Sequence, residues 1–343
     1  MFQTGERAYA YAKACGVIGK SFIGKRALPL RSADRLSALD RLVFGGGSRD
    51  LPERELLPDL ETRIALRAVS AIRAVISCFR SPPEALVLLL RAAEYNDLRN
   101  CIAAFLAGET AKTPRFTDMG PFRVLKIDKW PDLPAMIADT EFAFLLDKDG
   151  KLTRTASDAT ALQSALDLRY YTALWQALQK LPRRDRRVSQ DLLAKEISLL
   201  NAAWVLRLRT YYEMEVAELA KLLCRVPEGA SGRKSFAAEA EAALVLPLDS
   251  RQPWAAWRWQ GFLNAETPGE AWAADPRFFQ NAAARYLYRQ ARRAFHVHPL
   301  SMDTFFCFIK LKQFEEDLLT SSAEGLGLGL SSAEVSALLE VQG

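Results

Sequence analysis

Apolar residues recur at three- and four-residue steps through most of the chain, as at Ile64, Ala68, Ala71, Val75 and Phe79, which is the period of an amphipathic helix. The pattern predicts an all-α protein. Strand-like patterns are confined to residues 122–127, which alternate briefly, and 243–248, a short apolar run; each is isolated and lacks a hairpin partner. Both are read as loop or short helix. Unbroken apolar runs such as residues 85–90 fall far short of the roughly 18 to 20 residues that span a bilayer. Helices are expected to break at Gly45-Gly46-Gly47, Ser81-Pro82-Pro83, between Pro114 and Pro134, at Pro182, over residues 227–232, at Pro253 and at His298-Pro299.

With the breaks marked, one unit recurs three times: a helix, a Pro-marked turn and a longer helix carrying polar residues at three-residue steps. The first copy carries Glu94, Asp97 and Asn100 after Pro83. The second carries Lys195, Ser198 and Asn201 after Pro182, and the third Lys312, Glu315 and Leu318 after Pro299. The last position of each set lies 17 to 19 residues beyond its proline. Three such units predict three similar helical domains in a pseudo-threefold body, with boundaries at residues 1–115, 116–232 and 233–343. The termini are allowed to exchange between units.

Composition narrows the chemistry. Two histidines and five cysteines in 343 residues leave little material for metal or nucleophile sites, and no two cysteines are close enough to write a zinc ribbon or a disulfide framework. A reducing compartment fits such cysteines. Residues 1–14, interrupted by Glu6, Arg7 and Lys13, lack the apolar stretch of a signal peptide. The 46 Lys and Arg exceed the 41 Asp and Glu by only +5, which does not single out nucleic acid or a membrane as the partner.

Positions i, i+3 and i+6 fall within a ~120° sector of a helix, so Glu94, Asp97 and Asn100 share one side. Paired carboxylates serve acid–base or metal chemistry, but they also satisfy the backbone of a neighbouring turn. Substitution by Lys195, Ser198, Lys312 and Leu318 in the other copies favours the structural role for Glu94, Asp97, Asn100, Asn201 and Glu315. His296 and His298 read as a helix end, and Gly325, Gly327 and Gly329 as a helix cap and loop. No catalytic, metal or cofactor site can be assembled. Arginines cluster at Arg183, Arg184, Arg186 and Arg187, and again at Arg285, Arg289, Arg292 and Arg293. With Trp254, Trp257 and Trp259 they suit protein partners better than nucleic acid, and the first cluster supplies the candidate partner contacts. A helical regulatory or nucleic-acid adaptor is the alternative reading.

In the order and spacing of these elements the chain resembles the central-stalk component of rotary V-type and A-type ATPases, designated C in prokaryotic complexes and d in eukaryotic ones. The resemblance is carried by residues 9–14, by Glu94-Tyr-Asn-Asp-Leu-Arg-Asn100, by Lys195-Glu-Ile-Ser-Leu-Leu-Asn201 and by the ending over residues 312–339, with its glycine turn and closing helix. Lys195, Ser198 and Leu318 depart from the family pattern. The resemblance implies a funnel of three helical domains on the cytoplasmic face of the membrane, without an active site or cofactor of its own. Its implied partners are the rotor ring of c-type proteolipid subunits and the central shaft subunits of the soluble head.

Overall fold

The computed structural model describes residues 2–111, 113–226, 235–331 and 334–335. The expected break over residues 227–232, the boundary beside it and most of the closing helix lie outside the described residues. Twelve α-helices occur among those described: α1 Phe2–Ile18, α2 Leu36–Phe44, α3 Glu53–Ile76, α4 Glu84–Leu106, α5 Leu133–Ile137, α6 Arg154–Ser157, α7 Ala159–Gln179, α8 Arg183–Tyr212, α9 Val216–Leu222, α10 Ala238–Ala243, α11 Pro276–Ala294 and α12 Met302–Gly327. Short 3-10 turns connect them, and the only β pairing among the described residues is the isolated bridge of Leu146 with Leu152. The fold is all-α.

Each predicted helix pair is present. The prolines act as expected: Pro182 stands at the N-cap of α8 with extended backbone, since its ring fixes φ and it has no N–H to leave unsatisfied. At the other end of α8, Glu213 takes a left-handed conformation and its N–H closes on the Leu208 carbonyl. The glycine run near the C-terminus differs from expectation. Gly325 and Gly327 lie inside α12, and only Gly329 has positive φ. The first two serve close packing, because a Cβ on Gly325 would sit 2.8 Å from Val335 Cγ2 and one on Gly327 would sit 2.8 Å from Leu57 Cδ2.

The chain divides into two compact units, residues 1–86 with 284–343, and residues 87–283, the divisions falling inside α4 and α11. In the first unit α12 packs along α3, and a core of Leu39, Leu56, Leu60, Ile64, Leu319 and Ala323 also receives Ala27 and Leu30 from the 3-10 segment Gly24–Ser32. Residues 302–312 of α12 are buried without a break, so this stretch is enclosed on every side, as a central helix must be. Phe305 meets Phe79 edge-on at 5.0 Å. In the second unit α7 and α10 pack on α8. Its core includes Phe142 edge-on to Tyr95 at 4.8 Å, and Trp257 stacked on Phe279 at 5.5 Å.

Candidate functional site

The three long helices α4, α8 and α12 each bury a polar pair three residues apart, and each pair holds backbone or side chain from a segment elsewhere in the same unit. On α4, Glu94 is fully buried, and its Oε1 accepts from the N–H groups of Val124 and Leu125, both at 2.7 Å. Its other oxygen takes Arg91 at 3.1 Å. Asp97 accepts from the Thr117 N–H and hydroxyl, both at 3.0 Å, and from Arg123 at 3.3 Å. Burial pushes the Asp97 carboxyl up, against the opposing pull of Thr117 and Arg123.

On α8 the buried pair is Ser198 and Asn201. The Ser198 hydroxyl accepts from the Trp259 indole at 3.1 Å. Asn201 grips one peptide residue from both sides: its Oδ1 accepts from the Cys224 N–H at 2.7 Å and its Nδ2 donates to the Cys224 carbonyl at 3.0 Å. Asn201→Ala leaves both buried groups orphaned and is expected to cost about 2–3 kcal/mol. Asn201→Asp keeps the acceptor and loses the donor, so thermal denaturation should place it between Ala and the wild type.

On α12 the pair is Lys312 and Glu315, joined to each other and both about 2% exposed. Glu315 also accepts from the Phe22 N–H at 2.7 Å and pairs with Arg67 at 3.3 Å, while Lys312 donates to the Ser21 hydroxyl at 3.1 Å. Burial lowers the Lys312 pKa, and Glu315 works against that shift. Here the held segment comes from the N-terminal region, whereas on α4 and α8 it follows the helix.

Asn100 is a correction: it is exposed. Each three-residue step turns a helix by about −60°, so two steps from Glu94 carry Asn100 off the buried side. In the second copy the buried pair is shifted by one step, which buries Asn201 and leaves Lys195 half-buried with Asp191 at 2.6 Å. Leu318 joins the apolar core in place of a polar contact. The residues that the sequence did not reveal are Arg67, Arg91 and Arg123, and the receiving backbone at residues 22, 117, 124–125 and 224.

Of the four clustered arginines, Arg183, Arg184 and Arg187 are exposed at the start of α8. Arg186 turns back onto the preceding helix and donates to the carbonyls of Gln179 and Leu181, which closes the C-terminal end of α7. The tryptophans are no stacking platform: Trp254, Trp257 and Trp259 are all buried, with their indole N–H groups given to the Pro247 carbonyl, the Glu239 carbonyl and Ser198. His296 Nδ1 lies 2.9 Å from the Tyr11 hydroxyl, and the His298 carbonyl accepts from Ser301 and Thr304. Burial pushes the thiols of Cys101, Cys224 and Cys307 up to about 12, which keeps them un-ionised and poor nucleophiles at neutral pH. The buried carboxylates are occupied by donors from the protein itself, and that arrangement fixes backbone.

Comparison with known proteins agrees with this architecture. The ATP synthase (C/AC39) subunit family matches residues 48–338. The chain is also 27% identical over 326 residues to an uncharacterized protein of Treponema pallidum (strain Nichols), covering 94% of this chain and 92% of that one. With nearly the whole polypeptide matched, the chain belongs to the ATP synthase (C/AC39) subunit family, whose members are subunits of V/A-type rotary ATPases.

Proposed function

We propose that this chain is a non-catalytic rotor subunit that joins the central shaft of a V/A-type ATPase to the membrane ring of c-type proteolipid subunits. The observation that carries the reading is the family match over residues 48–338. In this role the protein stands on the cytoplasmic side of the membrane and passes torque between the ATP-driven head and the ring that moves H⁺ or Na⁺. No helix among the described residues is long and apolar enough to cross a membrane, which suits a peripheral attachment.

Each ion moved against 100 mV takes roughly 2.3 kcal/mol, so a coupling element working against several ions needs a stiff body and a broad footing. Recurrence of a buried polar pair on α4, α8 and α12 supports the first requirement, since each pair locks a long helix to a second segment. We further propose three related helical units, at residues 1–115, 116–232 and 233–343, in a funnel. The second requirement predicts a summed interface well above the ~1,200 Å² lower limit of stable complexes. Arg183, Arg184 and Arg187, being exposed, are the proposed contacts from the first basic cluster.

Native mass spectrometry of the membrane complex from the source cells tests the role. The expected result is one copy of this chain released together with ring and shaft subunits. A rotary complex that contains ring and shaft but never this chain would refute the reading. Charge reversal of Arg183, Arg184 and Arg187 together is expected to weaken recovery of ring or shaft in a pull-down, and unchanged recovery would remove them from the interface.

A further inference from the structure

We propose that the exposed basic face formed by Lys25, Arg26, Arg289, Arg292 and Arg293 is a docking surface for an acidic segment of a partner polypeptide. The face is assembled by the fold from two distant stretches of chain. Gly24 has φ of +60°, and its N–H donates to the Tyr288 hydroxyl at 2.8 Å. That positive φ favours glycine, and the Arg292 guanidinium lies so close that a Cβ here would be 2.9 Å from its Cζ. Lys25 and Arg26 directly follow the residue that meets Tyr288 and Arg292, Arg289 and Arg293 lie three residues before and one after Arg292 on α11, and all five are exposed.

Nothing in either stretch compensates this charge. Residues 19–33 contain no carboxylate, and neither does any part of α11. Among the described residues, none of the five cations has an ion pair. Elsewhere in the same unit arginines are matched: Arg63 reaches Asp40 at 2.8 Å and Asp59 at 3.4 Å, and Arg67 reaches Glu315 at 3.3 Å. Holding five like charges on one face opposes folding unless an anionic partner completes it.

The chemistry of the face selects among anionic partners. Four of the five cations are arginines, whose planar guanidinium forks match carboxylates and which are enriched at protein interfaces where lysine is depleted. A bilayer surface is disfavoured because the apolar side of α11, with Ala283, Leu287 and Ala291, is already buried in the protein and cannot enter lipid. Nucleic acid is disfavoured because Tyr288, next to Arg289 on α11, is committed to Gly24. The surface rests on these observations alone; that the partner is another rotor component rests on the function proposed above.

Carbodiimide treatment of membranes from the source cells provides the test, because the reagent joins an amine and a carboxylate that are already in contact. The expected product links Lys25 Nζ to an Asp or Glu within an acidic stretch of a second polypeptide. Its yield should fall at least tenfold in Arg289→Glu/Arg293→Glu and less in Arg289→Gln/Arg293→Gln. An unchanged yield in the reversed variant would overturn the inference. So would a Lys25 that is acylated as readily in membranes as in the purified chain. Flotation of the purified chain with vesicles of 70:30 phosphatidylcholine and phosphatidylserine, lost on the same reversal and without any cross-link, would overturn it in favour of lipid. A linked polypeptide foreign to rotary ATPases would leave the surface standing and remove the rotor reading.

Discussion

Glu315→Ala is expected to destabilise the unit built on α3 and α12 by about 3–5 kcal/mol, the usual consequence of stripping one partner from a buried ion pair. The carboxylate holds Lys312, Arg67 and the Phe22 N–H at once, and Lys312 is as buried as Glu315 itself. Its loss leaves an ammonium group sealed away from water and frees the N-terminal segment from α12. Chemical denaturation followed by circular dichroism reads the effect as a lowered midpoint. The double variant Lys312→Met/Glu315→Leu should recover much of the loss, because two apolar side chains of similar volume remove the stranded charge. A single variant as stable as the wild type would show that the cluster is hydrated in solution.

Glu94→Ala is expected to cost about 3 kcal/mol in the other unit. Two adjacent backbone donors, those of Val124 and Leu125, converge on one oxygen of this side chain at 2.7 Å, and each orphaned buried donor costs roughly 1–3 kcal/mol. Arg91 keeps a second partner in Glu141 at 2.7 Å, so its charge stays matched. Glu94→Gln should be milder, since an amide oxygen still accepts from the two N–H groups, but its NH₂ then faces the Arg91 guanidinium. Urea midpoints in the order wild type, Gln, Ala are the expected outcome. Equal midpoints for Gln and Ala would place the contribution in the charge rather than in the backbone bonds.

The helices were legible in the sequence because their signals are local. Pro83, Pro182 and Pro299 act through their own φ and missing N–H, and the apolar period of each helix depends only on its own residues. That Glu94 and Asp97 share one helix side was legible too, from their three-residue spacing, and both accept from backbone N–H groups of the segment that follows α4. What could not be read was the register of burial. Asn100 and Asn201 occupy the same step of the pattern, yet one is exposed and the other clasps Cys224, because the receiving segments reach α4 and α8 at different heights. Nor could Arg67 and Arg123 be distinguished from solvated arginines, since their partners lie on other elements, and Arg91, beside Glu94 on α4, gave no sign of its second partner Glu141. Gly325 and Gly327 misled for a related reason: a glycine near a helix end ordinarily signals a cap, and close approach by Val335 and Leu57 is invisible until the chain is folded.

Glu315 receives the Phe22 N–H across 293 residues of sequence, and this separation sets a clock on synthesis. Ribosomes add on the order of 5–20 residues per second, so roughly 15–60 s pass between the emergence of Phe22 and that of its acceptor. Throughout that interval the segment that will cover α12 has no α12 to cover, and Ala27 and Leu30 lack the Leu319 and Ala323 side of their core. The second unit, contiguous in sequence, has its clamps and their targets available much sooner. The first unit therefore finishes last, and the newborn chain must carry its N-terminal core open on the α12 side for most of its translation.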